Sequence, residues 1–241
     1  GCVWSRGSFP EELVALVMRD VLMGLTRLHG DGRVGTQVVV HNDIKSANIL
    51  LGSDCVAKLA DFGVSRKMVG GRDRDGSARG EQELLGSPYW MAPEIILGSP
   101  CSAASDIWSL GITCLELAFG RIPWPVFDSL EGLLAHILAS PPPHRCVSSE
   151  VQALFSSHFW DFVDECLRPD PVSRQPAKVL LQHPFILKAQ RPPSIDAFFK
   201  AVSRGHISNS TYFQSVLNYV NILFRHETLL AGPNKSFPKH Q

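Results

Sequence analysis

The sequence predicts a mostly α-helical protein that carries one small β-hairpin. Apolar residues recur at helical spacing over Pro10–His29 and again over Ala104–Phe119. Between them, Ile49–Leu51 and Val56–Ala60 flank turn residues 52–54, a pattern typical of a hairpin. A chain of 241 residues is long enough for one large core, so we expect one main domain and a tail.

The first helix is predicted to begin near Pro10, because a proline followed by two glutamates suits a helix N-terminus. The positions expected to be buried are Leu13, Leu16, Val17, Val21, Leu22, Leu25 and Leu28. A Gly-rich loop over residues 30–36 and a short strand over Val38–Val40 follow. The loop contains the letters G-x-G-x-x-G, but it follows a helix and precedes a strand, so we interpret it as an insertion and not as a dinucleotide-binding turn.

The second half of the chain is predicted to be helical from Met91 onwards, after a polar stretch over residues 67–83 that is rich in Gly, Arg and Asp. Further helices are expected near Asp128–Ala139, Phe155–Leu167 and Ala177–Leu181. Beyond Phe185 the chain has a tail whose amphipathic part, Tyr212–Phe224, is interpreted as a core or docking helix.

Composition and charge exclude several classes of protein. A net charge of zero gives no broad electrostatic basis for binding nucleic acid, so no nucleic-acid partner is expected. No apolar run approaches the roughly 18 residues that a transmembrane helix needs. The six cysteines include no C-x-x-C pair, which favours a reducing, cytoplasmic location, with Cys55, Cys114 and Cys166 as core residues. Residues 1–5 match an acylation pattern only if a methionine precedes them.

One constellation carries groups that suit phosphoryl transfer. Residues 41–48 read H-N-D-I-K-S-A-N, and D-F-G follows at residues 61–63. Asp43 can accept the proton of an attacking hydroxyl, and Lys45 can place an ammonium beside a phosphate. Asn48 and Asp61 offer the oxygen ligands that Mg²⁺ prefers, and the hairpin is expected to return Asp61 to the side of Asn48.

Together with A-P-E at residues 92–94, these segments resemble the H-R-D-x-K-x-x-N, D-F-G and A-P-E elements of eukaryotic protein kinases, in order and in spacing. The resemblance implies a serine/threonine kinase that uses ATP and Mg²⁺ and acts on a protein substrate. The implied roles are catalysis for Asp43, Lys45, Asn48 and Asp61; metal binding for Asn48 and Asp61; ATP contacts for Lys45, Asn48, Asp61 and Leu50, which would lie under adenine; and structural support for His41, Phe62 and Gly63.

The residues before the A-P-E element also resemble those of protein kinases. Ser87, Pro88, Tyr89 and Trp90 resemble the loop that receives the substrate, in which a hydroxyl at the position of Ser87 bonds the catalytic Asp and Lys. The sequences of residues 86–94 and 105–124 are most similar to those of the sterile-twenty-like kinases. This group includes many kinases that act on other kinases.

Two further matches imply structural roles. Asp106 is similar to the helix aspartate whose carboxylate holds the backbone of the catalytic loop, and buried carboxylates need such donors. Arg174 matches the arginine that pairs with the glutamate of A-P-E, here Glu94, and a bidentate pair of this kind would tie the activation segment to the later helices.

The resemblance covers about Phe9 to Leu187, so we expect the C-terminal, larger lobe of a kinase domain over residues 1–187 and an extension, partly helical or disordered, over 188–241, whose partner the sequence does not identify. Lys45 is the first lysine of the sequence, so the phosphate-gripping lysine expected upstream does not lie within it. The small lobe is therefore expected to be largely missing, and the isolated chain to be inactive.

One position departs from the family pattern and keeps an alternative open. Asn42 stands where the family has arginine, and an asparagine cannot make charge-assisted bonds to a phosphate on the activation segment. Together with the expected absence of the small lobe, this change leaves a second interpretation, a catalytically silent kinase-like module that docks or scaffolds partners. Intact Asp43, Lys45, Asn48 and Asp61 favour the enzyme.

Overall fold

A computed structural model of the chain describes residues 9–30, 37–52, 54–69, 72–73, 86–193 and 197. Its α-helices and strands, in chain order, are α1 Glu11–His29, β1 Gln37–Val40, β2 Ile49–Leu51, β3 Ala57–Leu59, β4 Arg66–Val69, β5 Arg72–Asp73, α2 Pro93–Ile96, α3 Ala103–Phe119, α4 Leu130–Ala139, α5 Ser149–Gln152, α6 Ser157–Cys166, α7 Ala177–Leu180 and α8 Pro184–Leu187. Short 3₁₀ turns lie at Ser46–Asn48, Pro88–Trp90 and Pro143–Cys146. The two long helices are those that the periodicity predicted.

Helix α3 is the centre of the fold. Every residue from Ser105 to Phe119 is buried, as expected for a helix packed on all sides. It begins at a capping box in which Ser102 and Ser105 satisfy each other's backbone N–H groups, and it ends at Gly120 with a left-handed φ of 64°. At Gly111 a side chain would collide with Cys166 and Leu167, so the absence of one lets α6 approach closely.

Helix α1 packs on α3 and also contacts α7, α8 and strands β1 and β3. The predicted buried positions from Leu13 to Leu25 are confirmed as core residues, while Leu28 packs half-buried against that core. Burying each such leucine contributes roughly 1.5–3 kcal/mol before entropy is subtracted. The helix therefore fixes the two small sheets against the rest of the protein.

The predicted hairpin is present, with β2 and β3 antiparallel and Ile49 opposite Leu59. A second sheet was not predicted: β1, β4 and β5 form three antiparallel strands in that order. No strand was predicted at β4 and β5, because the sequence there was read only as part of a polar stretch over residues 67–83. Strand β4 is short and contains two charged and two apolar residues, and it gains its hydrogen bonds from β1, which lies more than twenty residues earlier in the chain. Pairing between distant segments overrode the local pattern.

The predicted later helices are confirmed with small shifts at their ends. Helix α4 begins after Ser129, whose hydroxyl caps the helix by accepting the Gly132 N–H at 3.0 Å. Ser156 caps α6 in the same way by accepting the N–H of Phe159. Helices α2, α5 and α8 were not predicted individually; each has four residues, which show at most a weak periodic pattern.

Cysteines 55, 114 and 166 are buried free thiols, as predicted. Burial raises the pKa of the Cys114 and Cys166 thiols well above the ordinary value, so both remain protonated at neutral pH. They act as small apolar core residues.

The segment that follows α8 turns back onto α1 and the β2–β3 hairpin. Arg191 donates to the Asp20 carboxylate at 2.8 Å and to the Cys55 carbonyl at 2.5 Å. Asp20, which is buried on α1, also accepts the Ala57 N–H of strand β3 at 3.0 Å. These contacts join the hairpin, the first helix and the residues just beyond position 187.

Three segments that were interpreted from the sequence have no described structure, or have one only at their edge. The acylation-like residues 1–5, the Gly-rich loop over residues 30–36 apart from its first residue, and the amphipathic segment Tyr212–Phe224 lie outside the described residues. Within the described part of the chain, no helix is long and apolar enough to span a membrane.

Glu94 and Arg174 form a buried ion pair. The Nη1 and Nη2 atoms of Arg174 donate to the two carboxylate oxygens of Glu94 at 2.5 and 2.7 Å, which is a bidentate geometry. Arg174 also donates to the Ala104 and Pro169 carbonyls and stacks over the Trp108 ring. The pair therefore connects α2, the start of α3 and the loop before α7.

We predict that Arg174→Ala lowers the free energy of unfolding by about 3–5 kcal/mol, since it leaves the Glu94 carboxylate buried without its partner. Urea denaturation measures the loss. Arg145→Ala is the matched control, because Arg145 and its partner Asp164 are 52% and 40% exposed, and such a pair contributes less than about 1 kcal/mol. A loss at Arg174 no greater than that of the control would contradict the prediction.

Candidate active site

The site is built on the segment between β1 and β2, called here the 41–48 loop. His41 is fully buried; its Nε2 lies 3.1 Å from the Ala60 carbonyl oxygen, and its ring packs on Phe62 with centroids 4.9 Å apart. His41 therefore ties the start of the loop to the segment that leaves β3. This contact brings residues 61–63 to the site.

Asp106 on α3 holds the backbone of this loop. Its carboxylate, which is 1% exposed, accepts the His41 N–H at 2.8 Å and the Asn42 N–H at 2.9 Å. It also lies 2.8 Å from the Nε2 atom of His29, at the end of α1. A buried carboxylate is tolerated when donors surround it, and here the donors fix the 41–48 loop to two helices.

Asp43 lies where three groups converge on one carboxylate. Its Oδ2 is 2.9 Å from the Lys45 ammonium and accepts Asn48 Nδ2 at 2.8 Å, while its Oδ1 accepts the Ser87 N–H at 3.0 Å. Asn48 Nδ2 also donates to the Asp43 carbonyl. The carboxylate is thus oriented on both of its oxygens.

The electrostatic balance keeps Asp43 ionised. Burial by itself raises the pKa of Asp43, but hydrogen bonds from Lys45 and Ser87 and the positive charge of Lys45 outweigh it. The pKa of this carboxyl therefore lies below its ordinary value of 3.8. At neutral pH the side chain is an acceptor of hydrogen bonds and protons.

Residues Ser87–Trp90, called here the 87–90 loop, reach the same place from the other side. The Lys45 ammonium donates to the Ser87 hydroxyl at 2.6 Å, so Ser87 contacts both Lys45 and Asp43. Gly86 adopts a φ of 100°, and a side chain there would collide with the Asn42 carbonyl. Glycine thus lets the 87–90 loop close over the 41–48 loop.

The hairpin brings Asp61 to the side of Asn48. The Ala60 N–H donates to the Asn48 carbonyl at 2.9 Å, directly before Asp61. Asp61 has a left-handed φ of 62°, is exposed, and accepts the Gly63 N–H at 3.2 Å. The structure therefore places all four residues expected to be catalytic around one loop and one hairpin.

The oxygen atoms that the site offers suit a hard cation whose remaining ligands come from water or from a phosphate. Because Asn48 uses its amide nitrogen on Asp43, its Oδ1 oxygen is the atom suited to a metal, and Asp61 adds a carboxylate. Mg²⁺ is commonly held by one or two such groups, with waters and phosphate oxygens completing its shell. In the described part of the chain no group of three or more His, Cys, Asp or Glu could hold a metal alone. The set thus suits Mg²⁺ that is carried by a nucleotide.

Leu50 lies on the face of the β2–β3 hairpin that points away from the core. Its neighbours Ile49 and Leu51 pack against the core, and successive side chains of a strand point to opposite faces. Leu50, opposite Lys58 in the register, is half-buried on the other face. It provides apolar surface beside Asn48.

Asn42 stands where the family pattern has arginine, and its side chain makes a neutral hydrogen bond. It has a left-handed φ of 67°, which asparagine tolerates better than most residues, and its Nδ2 donates to the Val64 carbonyl at 3.0 Å. Val64 directly follows D-F-G. The 41–48 loop is therefore tied to the segment after residue 63 by a neutral hydrogen bond.

Glu116 is a residue of the site that the sequence reasoning missed. This carboxylate on α3 is 2% exposed and contacts both Ser46 and Trp90. The available signal was a single acidic residue within the apolar run Ile112–Phe119, where burial demands polar partners.

Comparison with known proteins assigns the family. A protein-family model described as "Protein kinase domain" matches residues 2–186. This match covers most of the chain, and with the geometry around Asp43 it defines the class: the chain belongs to the protein kinase family. Kinases of this family are expected to use ATP and Mg²⁺, and the donor set at Asn48 and Asp61 agrees with that expectation.

Individual relatives carry names within the same class. "Serine/threonine-protein kinase ppk11" of Schizosaccharomyces pombe is 41% identical over 76% of this chain and 53% of its own length. "Mitogen-activated protein kinase kinase kinase 3" of Arabidopsis thaliana is 35% identical over 92% of this chain and 32% of its own. "Serine/threonine-protein kinase sid1" of S. pombe is 40% identical over 76% and 35%. The chain thus spans about a third to a half of the length of these relatives.

We predict that Lys45→Met raises the pKa of Asp43, because burial remains while the ammonium is lost. In the unaltered chain the folded pKa is depressed, so the stabilisation from Asp43 is complete above the unfolded pKa and is lost as pH falls through the folded pKa. In the variant this loss should occur at higher pH. Carboxyl ¹³C NMR titration measures the shift, and Lys58→Met, on the exposed side of β3, is the control. An unchanged pKa in Lys45→Met would contradict the assignment.

Proposed function

We propose that the chain is the larger, C-terminal lobe of an ATP- and Mg²⁺-dependent protein serine/threonine kinase, most similar to the sterile-twenty-like group. One observation carries the proposal. The Asp43 carboxylate is held by Lys45 and Asn48 from its own loop and by Ser87 from the 87–90 loop. A carboxylate and an ammonium fixed side by side suit the alignment of a hydroxyl with a phosphate.

The proposed roles follow from these positions. A substrate hydroxyl bonds to Asp43, which accepts its proton as the new O–P bond forms and the bond to the leaving ADP breaks. Lys45 neutralises charge on the transferred phosphoryl group. Asn48 and Asp61 would hold the Mg²⁺ that accompanies the nucleotide, and the ion would supply further neutralising charge.

The acceptor is proposed to be serine or threonine. Ser87 bonds Lys45 at 2.6 Å, so the hydroxyl-bearing 87–90 loop closes directly on the catalytic pair. The names of two of the relatives, serine/threonine-protein kinases, support the same acceptor class.

We predict that Asp43→Asn lowers kcat about 10²–10⁴-fold, the range for loss of a general base. Asp61→Asn should also lower activity and raise the Mg²⁺ concentration required. The assay follows phosphate transfer from Mg·ATP to serine and threonine peptides with the protein at its native length, since its relatives are longer than this chain.

Asp128→Asn is the control for these variants, because Asp128 is exposed and lies before α4, outside the site. Its rate should match that of the unaltered protein. Retention of activity within twofold by Asp43→Asn would contradict the role of the base. Absence of any transfer by the unaltered protein would instead favour the silent docking module.

We predict that phosphatase treatment leaves most of the activity, because Asn42 reaches Val64 without a phosphate. Asn42→Ala should lower the activity of the dephosphorylated protein several-fold, since one hydrogen bond to the segment is lost. Peptide phosphorylation before and after treatment, with mass spectrometry to verify removal of phosphate, tests this. Complete loss of activity on treatment would overturn the hypothesis.

A further inference from the structure

The β2–β3 hairpin is a small sheet that depends on the elements around it. Its two strands have three residues each, and it shares no strand with the β1–β4–β5 sheet. A two-stranded hairpin is marginally stable by itself in water. Asn48 directly precedes β2, and Asp61 lies two residues after β3. The groups that hold the hairpin in place therefore also set the positions of Asn48 and Asp61.

Two residues hold the closed end of the hairpin, opposite to the end that bears Asn48 and Asp61. Asp20 on α1 accepts the Ala57 N–H at 3.0 Å through Oδ2, and its Oδ1 accepts Nη2 of Arg191 at 2.8 Å. The Nη1 atom of Arg191 donates to the Cys55 carbonyl at 2.5 Å. Asp20 and Arg191, called here the hairpin clamp, thus bind both the turn and the following strand.

The backbone at the turn requires support from outside the hairpin. Cys55 has a left-handed φ of 59°, which costs energy for a residue other than glycine. Such a conformation persists where its surroundings fix it, and Arg191 supplies a bond to the carbonyl of this residue. The Cys55 side chain is 1% exposed. A turn that moved away from its place would therefore expose the Cys55 thiol.

The Asp20 carboxylate depends on the same arginine. Its side chain is 2% exposed, and a buried carboxylate is tolerated where donors surround it. The neighbouring Arg19 lies farther away, with its Nε 3.6 Å from Oδ1, and directs its Nη1 to the Ala189 carbonyl at 2.8 Å. Arg191 is therefore the cation that bonds Asp20 directly.

Arg191 belongs to the segment that follows the family match. The protein kinase model ends at residue 186, whereas the bonds of Ala189 and Arg191 hold this later segment to α1. The hairpin that leads to Asp61 is thus held in part by a residue beyond the matched domain.

We propose that Asp20 and Arg191 are positioning residues for the proposed magnesium ligands, and that they act by holding the β2–β3 hairpin against α1. This inference rests on the proposed function. Asp43 and Ser87 lie on the 41–48 and 87–90 loops, which the clamp does not contact. Loss of the clamp therefore raises the Mg²⁺ concentration that gives half-maximal activity and leaves the KM for the peptide unchanged.

Thiol labelling tests the clamp without any need for activity. Cys55 is buried at the hairpin turn, Cys114 and Cys166 are buried on α3 and α6, and Cys146 is exposed. In the native-length protein under native conditions, Arg191→Ala is expected to accelerate labelling of Cys55 by iodoacetamide at least about tenfold, since hydrogen bonds from a charged group are lost. Cys114 and Cys166 should keep their protection. Peptide mass spectrometry measures each cysteine separately, with Cys146 as the reference for an accessible thiol.

Lys188→Ala is the matched control. Lys188 lies in the same segment, but its Nζ is 3.0 Å from Nδ1 of His158 on α6, away from the clamp. Cys55 should remain protected in this variant. Arg191→Lys should give an intermediate labelling rate, because one ammonium can pair with Asp20 but cannot reproduce the guanidinium fork that also reaches the Cys55 carbonyl.

Kinetics supply the second measurement. Arg191→Ala should raise the half-maximal Mg²⁺ concentration several-fold at saturating ATP, with Arg191→Lys between this variant and the unaltered protein. The KM for the peptide should stay the same in both variants, and Lys188→Ala should match the unaltered protein in both quantities. A merely structural role would lower the amount of folded enzyme without changing the Mg²⁺ requirement.

The outcomes separate the two proposals. If the unaltered protein transfers no phosphate, the proposed function fails, while the labelling data still decide whether Arg191 holds the hairpin. If Cys55 stays protected in Arg191→Ala, or Cys114 and Cys166 become labelled together with it, the clamp is overturned. In an active protein, an unchanged Mg²⁺ requirement or an equal rise in the KM for the peptide overturns the positioning role.

Discussion

The two hydrogen bonds from the His41 and Asn42 N–H groups to the Asp106 carboxylate are the constraint on which the site depends. Asp106 is the first member of a polar stripe on α3. The stripe consists of Asp106, Ser109, Thr113 and Glu116; the first three each contact one of the two loops, and Glu116 contacts both. Spacings of three, four and three residues put these side chains on one face of a helix. The most deeply buried helix is thus also the template for the candidate site.

The sequence predicted only some of the elements that surround α3. The periodicity of α1 and α3 predicted the two long helices, and two short runs that flank turn residues 52–54 predicted the hairpin, because each of these signals is local. Strands β4 and β5 were missed because β4 pairs with the distant strand β1, β5 pairs only with β4, and both strands are too short to show an alternating pattern. Their existence depends on pairing that no short window of sequence contains.

The site shows the same division between local and distant information. The motif spacing predicted that Asp43, Lys45, Asn48 and Asp61 belong together, whereas it gave no indication that the Asn48 amide would orient Asp43. Glu116 was missed since its partners, Ser46 and Trp90, lie 70 and 26 residues away. An acidic residue in a buried apolar helix predicts that partners exist, but identifying them requires the fold.

Two strained backbone positions, one in each half of the site, differ in how firmly their surroundings hold them. Asn42 and Asp61 both have positive φ, which costs energy for residues other than glycine. At Asn42 the buried Asp106 carboxylate holds the backbone, whereas at Asp61 the surroundings are exposed and the adjacent Phe62 ring is 48% exposed. The group expected to accept the proton is therefore set by a rigid, buried framework. The expected metal ligand lies on the more weakly held segment, so its position depends more on what binds there.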